Sequence, residues 1–390
     1  MTIDVWARRD VYTEDHEAFR ESVRTFVRRH IEPNIERWEE ERLVPREVWL
    51  EAGRQGFLGM AIPEVYGGAG NDDFWFRCVM IEELARVGAT SVAAGFAVHT
   101  DIVLPYLLDL ATPGQAKRWL PAMASGEAIG AIAMTEPEAG SDLQGMRTTA
   151  RRDGDEWVIN GTKMFITNGI QADLVVVAAR TDPTAGSRGF SLFVVERGTP
   201  GFERGRQLRK IGLHGQDTAE LVFTDARVPA DNLLGQEGNG LIYLMERLPR
   251  ERLGIAVNGV AAARAALGWT LDYVTERTAF GQRIADFQNT QFTLAEMLTE
   301  IEVTQAYIDQ AVDKLNRGEL TAVDAAKAKL WATEMHKRVV DRCVQLHGGY
   351  GYMQEYRIAR AYADTRVTTI YGGSSEIMKL IIARDILGRN

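Results

Sequence analysis

The sequence predicts an α+β protein with an N-terminal helical domain, a central antiparallel β-barrel or sandwich, and a C-terminal four-helix-type bundle. Three observations predict it: helical periodicity at the start, short strand-like runs in the middle, and long amphipathic segments at the end. The 390 residues exceed what one hydrophobic core usually serves. The pattern changes near residues 126 and 240, so we expect domains at 1–125, 126–240 and 241–390.

The N-terminal domain is predicted from its apolar spacing. Between Phe19 and Ile31, apolar side chains recur on one helix face. Residues 90–108 predict a buried helix that is rich in small side chains, including Gly95. Small residues allow close helix packing, which is the commoner explanation, or leave room for a ligand.

The central domain is predicted from short runs of Val, Phe and Leu that are separated by Gly, Pro and Asp turns. The dipeptide Asn160-Gly161 is a strong hairpin signal, so we expect strands at 156–160 and 163–167 joined by a turn. These runs do not alternate with long helices, which argues against a doubly wound sheet.

The C-terminal domain is predicted from long helical segments at 253–277, 290–317 and 321–347, an arrangement typical of an up-and-down bundle. Pro249 cannot donate a backbone hydrogen bond, so we expect it near the first turn of a helix or at a kink. Glu251 would then lie where the helix dipole favours a carboxylate. From spacing alone, such a residue is most simply a helix-stabilising one.

Composition and charge exclude several functions. The net charge of −9 argues against nucleic-acid binding, and two cysteines with scattered histidines predict neither a disulfide framework nor a metal site. The N-terminus lacks a signal-peptide pattern and no apolar run is expected to span a membrane. We therefore expect a cytoplasmic protein with no membrane partner. GxGxxG and GxxxxGK[ST] phosphate-binding motifs are absent from the sequence.

Five segments, in order along nearly the whole chain, resemble motifs of the acyl-CoA dehydrogenase family. Each of five family motifs has a counterpart here: the pattern TEP-x-AGSD, the second flavin strand, the R-x-x-FG stretch, the QLxGGxGY turn and the IYEGTSEIQ segment. One motif alone would be weak, whereas five in order are specific, and the family's α–β–α architecture agrees with the pattern above. The counterparts are MTEPEAGSDL at 134–143, KMFITNG at 163–169, RTAFGQ at 277–282, QLHGGYGY at 345–352 and IYGGSSEIM at 370–378.

The position of the catalytic base departs from the family's commonest arrangement. There the base is the Glu of IYEG, which is Gly372 in this sequence. The long-chain and isovaleryl branches carry the base in a sequence such as LPxERL, and residues 248–253 are LPRERL. The resemblance, closest to the long-chain branch, therefore makes Glu251 the predicted base, with Glu246 and Glu376 as rivals. It also implies that Gly372 supplies a backbone N–H to the thioester oxygen.

The resemblance implies an FAD-dependent enzyme of fatty-acid β-oxidation that converts an acyl-CoA to the trans-2-enoyl-CoA and delivers hydride to flavin N5. It implies reoxidation by an electron-transferring flavoprotein and a homotetramer in which residues 345–349 reach a neighbouring subunit's FAD. Phe165, where many members have Trp, keeps an aromatic face for the flavin. The expected FAD contacts are Ile132, Met134, Thr135, Gly140, Ser141, Phe165, Ile166, Thr167, Arg277, Gln288, Gln345, Leu346, His347, Gly348, Gly349, Ser374 and Glu376. The expected acyl-CoA contacts are Ser141, Ser187, Tyr243, Arg252, Gly372 and Gly373.

The resemblance constrains the length and branching of the substrate's acyl chain least. By resemblance the helix carrying Gly95 borders the acyl pocket, and a missing side chain would deepen it, which favours medium-to-long chains. A branched-chain, isovaleryl-type dehydrogenase remains an alternative. So do an acyl-CoA oxidase on the same scaffold and a catalytically silent assembly protein.

Overall fold

Helices form the first third of the protein, whose computed structural model describes residues 5–6 and 9–388. Two of these helices begin with a capping box, in which a threonine oxygen accepts from the backbone of the third helical residue: Thr13 before α1 and Thr112 before α7. A π-helical stretch, Val98–Val103, joins α5 to α6. The helices are α1 (Glu14–Phe26), α2 (Ile35–Glu41), α3 (Arg46–Arg54), α4 (Phe74–Arg86), α5 (Thr90–Ala97), α6 (Leu104–Leu110) and α7 (Pro113–Ala124).

The stretch from α5 to α6 corrects the expectation about membrane-spanning length. Among the described residues, Thr90–Leu110 is long and apolar enough to cross a membrane, with a mean hydropathy of 1.4. Of its apolar 18-residue window, 67% is buried inside the fold. Its apolar character is accounted for by packing against the rest of the protein, since an interior helix meets the same criteria of length and composition.

The central domain is a β-sheet, as predicted, and the sheet is mixed. Its strands follow the order β6-β7-β3-β2-β4-β5-β8, and β1 pairs with β4. Strands β1 and β2 each pair with β4 in parallel, whereas the remaining pairs of the sheet are antiparallel. The strands are β1 (Gly130–Ala133), β2 (Thr149–Asp153), β3 (Glu156–Thr167), β4 (Leu174–Arg180), β5 (Phe190–Glu196), β6 (Phe202–Gln207), β7 (Thr218–Pro229) and β8 (Leu233–Leu234).

The hairpin expected at Asn160-Gly161 is wrong, because β3 runs straight through it and the pairing of β3 with β7 shifts register there. Gly161 has φ 151°, and a Cβ atom on it would lie 2.4 Å from Thr148 Oγ1. Gly161 is therefore needed for close approach at a bulge rather than for a turn. The true hairpin joins β2 to β3, with Gly154 in its turn at φ 63°.

Long helices form the C-terminal domain, and α4 of the N-terminal domain packs against them in one continuous core. A two-stranded hairpin, β9 (Thr278–Ala279) and β10 (Gln282–Arg283), follows the first helix. Thr321 forms a capping box at the start of the third. The helices are α8 (Gly240–Glu276), α9 (Gln288–Asn316), α10 (Ala322–His347), α11 (Arg357–Thr365) and α12 (Ser375–Ile386).

The helix start expected at Pro249 is wrong, since α8 begins at Gly240 and contains Pro249 in its interior. Proline is costly but possible there when tertiary packing compensates for the lost backbone hydrogen bond. The N-terminal part of α8 is packed in this way: Leu241 and Leu244 share a core cluster with α6 and with β4 and β5. Glu251 consequently lies several turns inside α8, where the dipole of the helix terminus has little effect.

Candidate active site

Glu251 is a buried carboxylate with one defined partner. Its residue is 5% exposed, and its Oε1 accepts a hydrogen bond of 3.0 Å from the hydroxyl of Tyr106 on α6. Tyr106 is itself completely buried. The helix that carries Glu251 and the helix that carries Tyr106 thus meet at this bond, which orients the carboxylate.

Burial dominates the acidity of Glu251. Desolvation raises the pKa of Glu251 to about 7, although the Tyr106 hydrogen bond and the charges of Arg252 and Arg247 act in the opposite direction. A carboxyl group with a pKa near neutrality can accept a proton from carbon and release it again. This property is what a general base requires.

Two consecutive glycines form a turn, which we call the glycine turn (residues 372–373), beside Arg252, the chain neighbour of Glu251. Both have positive φ, 62° at Gly372 and 97° at Gly373. Arg252 Nε donates to the carbonyl of Gly372 at 3.2 Å, and Lys329 Nζ donates to the carbonyl of Gly373 at 2.6 Å. Arg252 and the two glycines, which were predicted to share a site, are therefore brought together.

The commoner family pattern has a glutamate where this chain has Gly372. The space next to Gly372 is filled here by the side chain of Ile255. A Cβ atom on Gly372 would lie 2.4 Å from Cδ1 of Ile255. Ile255 is one turn after Glu251 on α8, so the two residues share a helix face. The side chain of Ile255 and a glycine at 372 are thus sterically complementary.

The rival carboxylates are in different environments. The side chain of Glu246 is 60% exposed and lies 3.6 Å from Arg247. Glu376 lies in the first turn of α12, where hydrogen bonds from its own backbone and from Ser374 lower the pKa of its carboxyl group. Neither has the burial that raises the pKa of Glu251.

The loop at 134–143 and strand β3 form the second face of the candidate site. Met164 N donates to the carbonyl of Thr135 at 2.8 Å. Underneath, the fully buried Lys163 donates to the carbonyl of Met134 at 3.0 Å and to Glu136 Oε1 at 2.8 Å. Glu136 also accepts from the backbone N–H groups of residues 147 and 148, at 2.6 and 3.0 Å. A buried ion pair therefore ties the loop to the strand.

Phe165 presents an open aromatic face on this surface. It is 65% exposed and has φ 62°, a left-handed conformation that costs an aromatic residue free energy. The side chain of its neighbour Ile166 is 2% exposed and lies in the core of the sheet, so Ile166 can offer this face only its backbone. Thr167, the last residue of β3, is half-buried.

A separate open cavity of about 620 Å³ lies at the end of α10. The ring of His347 stacks on that of Tyr273 with centroids 4.3 Å apart, and Arg277 lies 5.5 Å from the centroid of the Tyr350 ring. Gln288, at the first position of α9, is exposed and is not among the residues that line this cavity. The lining includes the predicted residues Arg277, Gln345, Leu346, His347, Gly348 and Gly349.

The remaining predicted residues are distributed around these surfaces. Ile132 and Met134 are half-buried against the core cluster of α6, α7 and the sheet. The Tyr243 hydroxyl accepts from Gln236 N at 3.2 Å, and Ser374 caps α12 by accepting from Ile377 N at 3.4 Å. Three further predicted residues are exposed: Gly140, Ser141 and Ser187.

Gly95 has the commoner of the two explanations that the sequence left open, which is close helix packing. A Cβ atom there would lie 3.2 Å from Asn168 Oδ1 and 3.3 Å from Trp49 Cζ2. Its carbonyl also accepts from Asn168 Nδ2 at 3.0 Å. Gly95 therefore permits close packing of α5 and gives no argument about acyl-chain length.

Sequence reasoning missed three residues of this region: Tyr106, Lys329 and Glu136. Tyr106 lies in an apolar helical segment and Lys329 in an amphipathic one, both outside the five motifs, whereas Glu136 lies within a motif in which no role was expected for it. The available signal was a polar group in an otherwise buried stretch, which requires a partner. The partner itself is distant in sequence, 145 residues away for Tyr106.

Comparisons with known proteins agree with this geometry. The family profiles for the N-terminal, middle and C-terminal domains of acyl-CoA dehydrogenase match residues 13–127, 131–226 and 238–387. The long-chain specific acyl-CoA dehydrogenase, mitochondrial, of Sus scrofa is 48% identical over 386 residues, which cover 98% of this chain and 89% of that protein.

Solved structures show the same similarity. The acyl-CoA dehydrogenase from Geobacillus kaustophilus superimposes with a TM-score of 0.95 at 49% identity, over 97% of this chain and 100% of that one. A glutaryl-CoA dehydrogenase from Mycobacterium smegmatis, in complex with FADH2, gives 0.90 at 32% identity, over 97% and 96% of the two chains. The chain belongs to the acyl-CoA dehydrogenase family. It is an FAD-dependent enzyme that acts on acyl-CoA.

Proposed function

We propose that this protein oxidises medium-to-long-chain acyl-CoA to trans-2-enoyl-CoA in fatty-acid β-oxidation, with Glu251 as the base. The observation that carries the proposal is the environment of Glu251. It is a buried carboxylate, held by Tyr106 and with a pKa raised to about 7, beside a glycine turn bound by Arg252.

The chemistry explains why these groups are needed. The α-proton of a thioester is a poor acid, so its removal requires a positioned base and hydrogen-bond donors for the thioester oxygen. Glu251 takes the α-proton, a double bond forms between the α- and β-carbons, and the β-hydrogen leaves with its electron pair. The backbone N–H of Gly372 is the proposed donor to the thioester oxygen, and Arg252 holds that residue by its carbonyl.

The residues present fit FAD, which accepts the hydride at flavin N5 when bound. Phe165 offers an exposed aromatic face beside the loop at 134–143, and Arg277 offers a cation in the open cavity at the end of α10. The first feature suits the flat ring of the cofactor and the second suits a pyrophosphate, and the cavity also contains residues 345–349, which we propose reach the FAD of a neighbouring subunit. We propose contacts with FAD from Ile132, Met134, Thr135, Gly140, Ser141, Phe165, Ile166, Thr167, Arg277, Gln288, Gln345, Leu346, His347, Gly348, Gly349, Ser374 and Glu376.

The substrate class, partner and assembly are also part of the proposal. The 48% identity to a long-chain specific enzyme supports medium-to-long acyl chains. An electron-transferring flavoprotein is the proposed oxidant of the reduced enzyme, which we place in the cytoplasm as a homotetramer. Acyl-CoA is proposed to contact Ser141, Ser187, Tyr243, Arg252, Gly372 and Gly373.

The decisive test is anaerobic single-turnover flavin reduction in Glu251→Gln. We expect FAD and acyl-CoA to bind as in the wild type and the reduction rate to fall by roughly 10²–10⁴-fold, as is typical when a general base is removed. Glu246→Gln, an exposed position on the same helix, is the matched control and should keep the rate. Near-normal reduction in Glu251→Gln, with loss in a Glu376→Gln variant that retains FAD, would place the base at Glu376.

A panel of straight and branched acyl-CoA substrates tests the remaining parts. Fastest reduction of the flavin by a short branched substrate such as isovaleryl-CoA would overturn the proposed chain length. Stoichiometric peroxide release during aerobic turnover would identify an oxidase.

A further inference from the structure

Lys329 is a cation buried beside the glycine turn. It lies on α10, its residue is completely buried, and its ammonium group donates to the carbonyl of Gly373 at 2.6 Å. Desolvation, together with the positive charge of Arg252, lowers the pKa of Lys329 to about 8, while Glu334 and Glu376 favour its charged form. Burying an ammonium group is expensive, so its retention needs a reason.

The glycine turn needs external anchors because it has no side chains of its own. Two consecutive glycines have more backbone freedom than any other pair of residues, and both adopt positive φ here. Arg252 binds the first carbonyl of the turn and Lys329 binds the second. The anchors come from α8 and α10, so the turn is held between two helices of the bundle.

These two contacts also determine where the backbone N–H groups point. A trans peptide is planar, and its N–H is directed opposite to its carbonyl. When the carbonyls of Gly372 and Gly373 are directed at Arg252 and Lys329, the N–H groups of Gly373 and Ser374 are directed away from those cations. The N–H of Gly372, the proposed donor, belongs to the preceding peptide, so the two cations can hold it only through the conformation of the turn.

We propose that Lys329 is a positioning residue for the reaction, which fixes the glycine turn so that its backbone faces the thioester in the correct orientation. The inference rests on the proposed function of Glu251 and Gly372. Lys329 acts through the turn and does not itself contact the reacting atoms. Its loss should slow proton abstraction more than it weakens substrate binding.

The test compares Lys329→Met, Lys329→Gln and Lys327→Met in the FAD-loaded protein. Methionine keeps the length of the side chain without a donor, and glutamine keeps a donor without the charge. Lys327 is an exposed residue on the same helix, so Lys327→Met is the matched control. The probes are a saturated acyl-CoA that reduces the wild type and its 3-thia analogue. Sulfur at the β-position leaves no hydride to transfer, so the analogue reports the enolate alone through its charge-transfer absorption against oxidised flavin.

We expect Lys329→Met to lower the single-turnover rate roughly tenfold or more and to weaken the charge-transfer band, with the KM little changed. Lys329→Gln should recover part of both, and Lys327→Met should match the wild type. A Lys329→Met variant with the wild-type rate and band would overturn the inference. So would a glutamine variant that loses FAD and activity as completely as the methionine variant, because that result indicates a purely structural role.

Crystal structures of these FAD-loaded proteins give a readout that does not depend on activity. The peptide between residues 373 and 374 should reorient in Lys329→Met and superimpose on the wild type in Lys327→Met; an unmoved turn would contradict the inference. If no acyl-CoA reduces the wild type, the proposed function fails. The crystal structures then still decide whether Lys329 holds the turn.

Discussion

Two buried lysines hold two different segments of the candidate site and differ in how their charge is compensated. Lys163, below the loop at 134–143, and Lys329, behind the glycine turn, are both completely buried, and burial lowers the pKa of each to about 8. Each donates to a backbone carbonyl. Lys163 also has a carboxylate partner, Glu136, at 2.8 Å, whereas the neighbouring charge that acts most strongly on Lys329 is that of Arg252.

The difference separates an anchor that stabilises the fold from one that serves the chemistry. The Lys163–Glu136 pair has nearly all its hydrogen-bonding capacity satisfied within the protein, so it can hold the loop against β3 before any ligand binds. Lys329 and Arg252 instead concentrate positive charge at the carbonyls of the glycine turn, and Arg252 is also the chain neighbour of Glu251. Such an arrangement suits a site in which negative charge develops on a substrate oxygen.

The largest expected effect is the loss of stability when Lys163 is replaced. Lys163→Met leaves the carboxylate of Glu136 buried without its cation, which should destabilise the protein by about 3–5 kcal/mol. The measurement is the midpoint of denaturant unfolding, with FAD content determined in parallel. The double variant Lys163→Met/Glu136→Gln is the control and should recover much of the loss, because neither charge remains. If Lys163→Met is as stable as the wild type, Lys163 does not stabilise the fold and does not differ from Lys329 in this respect.

The carboxyl group of Glu251 should make the stability of the fold fall as the pH rises through the range in which this group ionises. Glu251 ionises near pH 4.5 in an unfolded chain and near pH 7 in the fold. Between these values unfolding releases a proton, so stability falls as the pH rises, and the full cost is present above pH 7. Glu251→Gln should therefore be more stable than the wild type above pH 7, by up to about 3 kcal/mol.

Melting temperatures at pH 5 and pH 8 measure this second prediction. The advantage of Glu251→Gln should be small at pH 5 and larger at pH 8. Glu246→Gln, whose carboxylate is exposed, should show no such dependence. If the gain in melting temperature is the same at both pH values, ionisation of Glu251 does not destabilise the fold.

The smallest expected effect concerns Tyr106. Its hydrogen bond lowers the pKa of Glu251, so Tyr106→Phe should raise that pKa further. The midpoint of the pH–rate profile for flavin reduction should shift to higher pH, and the rate at pH 7 should fall several-fold, about 1 kcal/mol in barrier. Much of the rate should return at higher pH, where Glu251 ionises again. Tyr307→Phe, which removes a hydroxyl on α9 far along the bundle, should leave the profile unchanged.

The sequence predicted the order of helical and β regions because amphipathic periodicity and turn residues are local signals. It also selected Glu251, through the pairing of LPRERL with the missing carboxylate at Gly372. Local signals failed where tertiary packing overrode them. Pro249 lies inside a helix because the segment before it is packed in a core, and Asn160-Gly161 lies in a bulge because Thr148 approaches too closely for a side chain.

What the sequence by itself determined was the arrangement of α and β regions, the family and the identity of the candidate base. Only the tertiary structure decided the acidity of that base and the residues that hold the site around it. The pKa of Glu251 follows from burial, and burial is a property of the packed fold rather than of neighbouring residues in the chain. Tyr106 and Lys329 become partners of Glu251 and Gly373 only when separate helices are brought together, 145 and 44 residues apart in sequence.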